Sequence, residues 1–173
     1  RTIRQAAPAM HIKAFTAVEI DHFSRLSGLS LAELLAALRA AGLDSLPGGG
    51  AEIFASEVRR RLCPEKISGA RWLEVMAAVH AAGLRSNATM LFGHLESWKD
   101  RIDHLRQLRE LQDETGGCMA FVPLPYQADN SRLPGLRGPG GAEILKTLAV
   151  SRLFLDNFQH LKGYWVMLGV KLA

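Results

Sequence analysis

The sequence is poor in cysteine and has no long apolar segment. Its two cysteines, Cys63 and Cys118, stand alone without a CxxC spacing, which argues against a disulfide framework or a self-contained metal site. Charged residues or glycine interrupt every apolar run within about a dozen positions, too few to span a bilayer. No signal-peptide pattern opens the chain. We therefore expect a cytoplasmic protein that does not enter the membrane.

The patterns of common catalytic machineries are missing as well. The sequence shows no Ser-His-Asp ordering, no metal-ligand spacing, and neither of the phosphate-binding patterns GxGxxG and GxxxxGK[ST]. A Schiff-base lysine is conceivable, but Lys13 lies early in a predicted strand, away from the edge where such lysines act. The sequence alone names no catalytic residue and no metal ligand.

What is present is typical of one soluble globular domain. The 173 residues are 48% hydrophobic and 22% charged, with a net charge of +4. The most basic run, Arg59-Arg60-Arg61, has no aromatic residues between its cations and accompanies no nucleic-acid motif. We interpret this run as a solvated helix face and expect no nucleic-acid partner.

Strand and helix patterns alternate along the chain. Short apolar segments predict strands at 11–19, 43–46, 84–92, 118–124 and 161–168. Capping residues and apolar stripes predict helices over 30–41, from Ser68 to Gly83, from Ser97 to Gly116 and over 144–157, with a shorter one at 56–62. A loop rich in proline and glycine occupies 125–141, and its length suggests a functional segment.

This alternation predicts a parallel sheet with right-handed crossovers and helices outside. A complete eight-unit parallel (β/α) barrel needs about 250 residues, and roughly five units fit here. We therefore expect residues 1–173 to form a single-domain, incomplete parallel (β/α) barrel that is truncated at both ends. Such a piece would expose two sheet edges, which favour a dimer or a strand-exchanged assembly.

Polar residues gather at the carboxyl ends of the predicted strands, where barrel enzymes place their active sites. Their carboxylates and hydroxyls suit a ligand with a sugar, an ammonium or a carboxylate group. Three consecutive glycines serve either a tight turn or close approach of a ligand, and Glu19 either a ligand or a loop salt bridge. His80 and His104 lie mid-helix and are interpreted as solvated or packed. The candidates are Thr16, Glu19, Ser45, Gly48, Gly49, Gly50, Glu52, Thr89, Gly93, His94, Glu96, Tyr126, Gln127 and Trp165.

Several longer motifs carry a family resemblance. The segments AFTAVEI at 14–20, SLPGGGAEIF at 45–54, SNATMLFGHLE at 86–96, LRELQDETGG at 108–117 and SRLFLDNFQHLKGYWVMLG at 151–169 cover most of the chain. They closely resemble the radical S-adenosylmethionine enzymes of the futalosine pathway of menaquinone biosynthesis. NATML with FGH, FVPLPY and YWVMLG favour the member that makes aminofutalosine. The dehypoxanthine futalosine cyclase and the deazaflavin (F0) synthase subunit are the alternatives within the family.

The resemblance implies a transferase reaction. A four-iron four-sulfur cluster would cleave S-adenosylmethionine, and the 5′-deoxyadenosyl radical would add to the enolpyruvyl double bond of 3-[(1-carboxyvinyl)oxy]benzoate, so that the substrate carries carboxylates. In such enzymes the cofactor supplies the difficult chemistry and the protein orients it. An alternative from another class is a non-catalytic α/β interaction module that binds an acidic partner through 59–61.

One departure from the family is large. The CxxxCxxC cluster loop is absent, so the chain would correspond to barrel strands three to seven and is expected to be inactive alone. Gly93-x-x-Glu96 matches the tail of the family's GxIxGxxE motif near the adenine. The resemblance implies cofactor contacts for Thr16, Glu19, Ser45, Gly48, Gly49, Gly50, Glu52, Thr89, Gly93 and Glu96, and substrate contacts for His94, Tyr126, Gln127 and Trp165.

Overall fold

The computed structural model describes residues 2–129, 133 and 135–168. In this part of the chain a four-stranded sheet runs in the order β1-β2-β3-β4, and every neighbouring pair is parallel. The predicted parallel α/β class is thereby confirmed. The strands are β1 (Ser45–Leu46), β2 (Arg85–Phe92), β3 (Cys118–Pro125) and β4 (His160–Leu161).

The strand order follows the chain order without a reversal. Right-handed crossovers then place all connecting helices on one face of the sheet, whereas doubly wound sheets have a switch point and helices on both faces. Helices α5 and α6 contact β2, α7 contacts β3, and α6 also contacts both α5 and α7. The topology is therefore compatible with an arc of a barrel. The helices are α1 (Thr2–Ala6), α2 (Ala17–Ser27), α3 (Leu31–Ala40), α4 (Ser56–Leu62), α5 (Gly69–Ala81), α6 (Trp98–Thr115), α7 (Gly141–Phe154) and α8 (Trp165–Leu168).

Local capping signals explain why the helix predictions hold best. Ser30 and Glu33 form a reciprocal capping box at the start of α3, and Ser68 caps α5 by accepting a hydrogen bond from the Arg71 N–H. Ser97 opens α6, and Gly116 ends it in the left-handed conformation. These helices, together with α4, match their predicted positions, while α7 begins and ends three residues earlier than the predicted 144–157.

The predicted strand at 11–19 is wrong. Only Lys13 makes an isolated parallel bridge, to Ser45, and helix α2 begins within the segment. Thr16 is its N-cap and Glu19 completes a capping box, with the Thr16 N–H donating to the Glu19 carboxylate at 2.8 Å. The T-x-x-E spacing of this box outweighs the apolar run that precedes it.

The predicted strand at 161–168 is also wrong over most of its length. Only His160 and Leu161 pair with β3. The carbonyl of Tyr164 accepts hydrogen bonds from the N–H groups of Met167 and Leu168, which closes the short helix α8. Periodicity cannot separate strand from helix in an apolar run this short, so Trp165 lies on a helix rather than at a strand end.

Aromatic side chains fill the core between the sheet and its helices. Trp72 on α5, Phe92 at the end of β2 and Phe121 on β3 are at most 1% exposed. Phe121 meets Phe158 edge-on at 6.3 Å between ring centroids, a favoured geometry for aromatic pairs. Cys63 and Cys118 are buried and free.

Two lysines at opposite borders of the described sheet interact electrostatically. Lys13 lies beside β1, and Lys162 directly follows β4. A flat sheet would separate them by four strand spacings, about 19 Å, beyond the usual screening length. Burial lowers the pKa of Lys13, and the positive charge of Lys162 lowers it further. This interaction is expected when the two borders approach each other across a concave face.

Candidate functional site

The loops that follow β1, β2 and β3 lie at one edge of the sheet, because the strands are parallel. Two of these loops meet directly. The rings of His94, after β2, and Tyr126, after β3, lie edge-on with centroids 6.0 Å apart. In the loop after β1, a Cβ built on Gly49 would lie 3.0 Å from the methyl group of Thr16. The carboxyl edge therefore brings together candidates from separate parts of the sequence.

Glu96 is the anchor of the loop after β2. Its side chain is fully buried, and its carboxylate accepts hydrogen bonds from the N–H groups of Gly93 at 2.6 Å and His94 at 2.9 Å. Burial by itself raises the pKa of Glu96, but hydrogen bonds from the His94 side chain and the Gly93 N–H outweigh it and lower the pKa to about 2. Glu96 thus remains ionised and holds the loop backbone; it is closed to solvent.

Arg101 neutralises this carboxylate, and the sequence analysis did not single it out. Its Nε donates to Glu96 Oε1 at 2.6 Å, and the side chain is 4% exposed. A signal was available in helix α6, because Arg101 shares the buried stripe of Leu105 and Leu108 at helical spacing. A cation on an apolar stripe predicts a buried acidic partner.

The glycines after β1 approach the protein's own backbone. Gly48 has φ of 81°, and a Cβ built on it would lie 2.1 Å from the Asn87 carbonyl oxygen of β2. At Gly50 such an atom would lie 2.6 Å from the Val18 side chain of α2. The indole N–H of Trp72 donates to the Gly49 carbonyl at 3.1 Å. These close contacts join β1, β2 and α2, so packing within the chain already requires the glycines.

Three further candidates from the carboxyl edge have partners within the chain. Ser45 is fully buried, with its hydroxyl 2.7 Å from His11 Nε2. The hydroxyl of Thr89 donates to the Gly48 carbonyl at 2.9 Å. Glu52 has φ of 45°, which few residues with a side chain adopt, and it pairs with Lys66 at 2.6 Å. Of these, only the Glu52 carboxylate is part-exposed.

The predicted substrate side divides into a buried and an exposed part. The imidazole of His94 is fully buried, with Nε2 3.0 Å from the Leu91 carbonyl. Tyr126 is 6% exposed. Gln127 is exposed and its amide reaches the Met167 carbonyl of α8 at 3.4 Å, while Trp165 on that helix is 60% exposed. A ligand at this edge would meet Gln127 and Trp165 before it reached His94.

The basic run at 59–61 was only partly interpreted correctly. Arg60 and Arg61 are exposed as expected, but Arg59 is 4% exposed. Its guanidinium donates to the carbonyls of Ile67 at 2.6 Å, Ile53 at 3.1 Å and Gly50 at 3.2 Å, and also to that of Ala51. Arg59 therefore holds the backbone of the loop after β1 through these hydrogen bonds.

Among the described residues, no group of three or more His, Cys, Asp or Glu side chains could hold a metal ion. The two cysteines lie on different elements, Cys63 at the end of α4 and Cys118 at the start of β3. Burial raises the pKa of both thiols, that of Cys118 to about 12. In the same part of the chain, no helix combines the length and apolarity needed to cross a membrane.

The chain is thus a segment of a parallel α/β protein. The loops that could bind a ligand follow successive strands at the carboxyl edge of the sheet. No protein-family model matches the chain. Aminodeoxyfutalosine synthase from Thermus thermophilus is 49% identical over 177 residues, an alignment that covers 100% of this chain and 48% of the relative. The enzyme of the same name from Streptomyces coelicolor is 46% identical, with 100% and 47% covered.

The chain is thus related along its whole length to the aminodeoxyfutalosine synthases, which confirms the resemblance in the motifs. A further relative is the 5-amino-6-(D-ribitylamino)uracil–L-tyrosine 4-hydroxyphenyl transferase of Methanoculleus marisnigri, 45% identical with 99% of this chain and 48% of the relative covered. The chain spans about half the length of the curated relatives it matches.

Proposed function

We propose that the chain is part of a radical S-adenosylmethionine transferase that makes aminofutalosine for menaquinone biosynthesis. In the whole enzyme, S-adenosylmethionine and a four-iron four-sulfur cluster would supply the radical chemistry on 3-[(1-carboxyvinyl)oxy]benzoate. The observation that carries this proposal is the 49% and 46% identity to aminodeoxyfutalosine synthases over the entire chain. We further propose a cytoplasmic location.

The fold supports a place for this segment within a barrel. A parallel sheet in chain order with one-sided crossovers is the arrangement of (β/α) barrels, and the interaction of Lys13 with Lys162 is expected of a curved sheet. We therefore propose that the isolated bridge at Lys13 and strands β1 to β4 correspond to barrel strands three to seven, and that their carboxyl edge faces the cofactor. The loop after β2 would lie on the cofactor side and the loop after β3 on the substrate side.

The residues of this chain do not fit an iron–sulfur cluster. Cysteine thiolates hold such clusters, yet both cysteines here are buried on separate elements with raised pKa values. We therefore assign the cluster ligands to polypeptide outside this chain. For S-adenosylmethionine the chain offers a loop of fixed backbone, because Glu96 is sealed from solvent and engages the N–H groups of Gly93 and His94.

Anaerobic reconstitution tests this assignment. We expect the isolated 173-residue chain to show no iron–sulfur absorption band and no cleavage of S-adenosylmethionine after treatment with iron and sulfide, whereas the full-length protein shows both. The Cys63→Ser/Cys118→Ser variant is the matched control, since iron that it still takes up is bound adventitiously. A band in the isolated chain that this variant loses would refute the assignment.

The relative from Methanoculleus marisnigri makes a different transferase reaction the alternative. Its 45% identity is close to that of the synthases, so substrate choice needs a direct assay. Full-length protein should convert 3-[(1-carboxyvinyl)oxy]benzoate and leave L-tyrosine with 5-amino-6-(D-ribitylamino)uracil unchanged, as followed by mass spectrometry of the products. The opposite pattern would establish the alternative function.

We also propose that the isolated chain associates with itself through the border at β4. Only two residues of β4 pair with β3, and Tyr164, Trp165 and Val166, which follow it, are 43%, 60% and 59% exposed. Open strand edges beside apolar patches favour pairing with another chain. Light scattering should therefore show dimers or larger species, and Val166→Lys should shift them toward monomer. A wild-type chain that is monomeric at every concentration would contradict this proposal.

A further inference from the structure

Arg101 is a buried cation at which three parts of the chain meet. From α6 it donates to Glu96 in the loop after β2 at 2.6 Å, and to Glu143 and Thr147 in the first half of α7 at 2.6 Å and 3.1 Å. The two acidic partners are 47 residues apart, as their numbers show. The planar guanidinium can serve both because its donors point in fixed, divergent directions.

Aromatic rings hold this guanidinium in place. Its carbon lies 4.6 Å from the centroid of the Trp98 ring and 5.3 Å from that of Phe92. Cation–aromatic contacts at such distances favour one orientation of the side chain. Because Arg101 is 4% exposed and Glu96 fully buried, loss of Arg101 would leave the Glu96 carboxylate without its cation in a low-dielectric site.

The loop after β2 also touches the segment before α7 directly. A Cβ at Gly93 would lie 2.5 Å from the Pro139 ring, so the segment before α7 packs against the bare backbone of the loop after β2. Within that segment, a Cβ at Gly138 would lie 2.5 Å from the Tyr126 carbonyl oxygen. Segment 135–140, the last part of the loop after β3, thus packs against both the start of that loop and the loop after β2. Helix α7 begins directly after this segment.

We propose that Arg101 is a positioning residue that fixes the loop after β2 and the start of α7 relative to each other, so that the cofactor side and the substrate side of the edge are set together. Through Glu96 it orients the backbone of Gly93 and His94. Through Glu143 and Thr147 it holds the helix that ends segment 135–140. The identity of the ligands rests on the proposed function; the coupling of the two loops does not.

Glu143 offers the decisive variant, because its side chain is 40% exposed and its removal leaves the buried Glu96 still paired with Arg101. In Glu143→Ala, we expect amide hydrogen exchange at positions 93–95 to accelerate roughly tenfold or more, because the Glu143 side chain is linked to Glu96 through Arg101. Exchange in the core of β2 should stay unchanged. Glu114→Ala removes an exposed acid in the last turn of α6 and should alter neither region.

Arg101→Lys tests the guanidinium itself. Lysine keeps the charge but presents it as a single point that cannot span both carboxylates. We expect exchange to accelerate at one or both of 93–95 and 141–144, while Arg106→Lys on the exposed face of α6 leaves both protected. If Arg101→Lys does not fold, Glu143→Ala decides alone. Unchanged exchange at 93–95 in Glu143→Ala would overturn the coupling.

Ligand binding separates this inference from the proposed function. In full-length protein with a reconstituted cluster, Glu143→Ala should weaken S-adenosylmethionine binding roughly tenfold, that is, about 1.4 kcal/mol, while the thermal midpoint stays that of the wild type. A role confined to stability would lower the midpoint without this specific loss. If wild-type protein fails to bind S-adenosylmethionine, the proposed function falls, and the exchange experiment still decides whether Arg101 couples the loops.

Discussion

Replacing Gly48 with alanine is expected to lower the free energy of unfolding by about 2 to 5 kcal/mol. The positive φ of 81° costs an L-residue about 1 to 2 kcal/mol. The new methyl group would lie 2.1 Å from the Asn87 carbonyl oxygen, and overpacking against rigid backbone adds about 1 to 3 kcal/mol. Urea unfolding followed by circular dichroism measures the sum.

Gly116→Ala is the matched control for this prediction. Gly116 also has a positive φ, 61°, but no atom lies within 4 Å of a Cβ built there. Its substitution should therefore cost only the conformational part, about 1 to 2 kcal/mol. Equal losses in the two variants would show that the contact between the loop after β1 and strand β2 is looser than the structure indicates.

Acid should destabilise the protein as the pH falls below 6.5, well before its carboxylates titrate. Complete burial lowers the pKa of His104 to about 3; the Thr89 carbonyl opposes this shift, and the charge of Arg59 adds to it. Burial likewise lowers the pKa of His80 to about 4, with a further contribution from Arg85. Since the unfolded chain binds these protons near pH 6.5 and the folded chain does not, stability is full above that pH and declines down to the folded pKa values.

For His104 the shift from 6.5 to about 3 corresponds to a loss of up to about 5 kcal/mol at pH 3. His104→Gln keeps a donor for the Thr89 carbonyl and removes the titration. The variant should be less stable at pH 7 but show a clearly flatter dependence of unfolding free energy on pH. His22→Gln, on the exposed side of α2, should retain the wild-type slope. The same slope in His104→Gln and wild type would contradict the prediction.

Local sequence signals predicted most helices correctly, but apolar runs led to wrong strand predictions at 11–19 and 161–168. The boxes at Ser30 and Ser97 need only residues within one turn, so the sequence contains the whole signal. The box at Thr16 was equally legible, but the apolar run before it suggested a strand. The run after Lys162 is too short for periodicity to decide. Tertiary contacts, which a single sequence does not display, settle such segments.

The sequence predicted where the candidate loops lie in the fold, but not which residues their side chains contact. The rule that loops after parallel strands share an edge located Gly93, His94 and Tyr126 correctly. The rule could not reveal that Glu96 is buried, because its partner Arg101 lies on helix α6 and belongs to none of the recognised motifs. Nor could it show that Gly48 is required by Asn87, a residue on another strand.

The neighbour-to-neighbour strand order bears on how the polypeptide reaches this state. Each strand pairs with the one that left the ribosome just before it, so no strand must wait for a distant partner. Units can therefore be added one after another in the direction of synthesis. Ribosome-bound nascent chains that end beyond β3 should therefore already protect β2 from proteolysis.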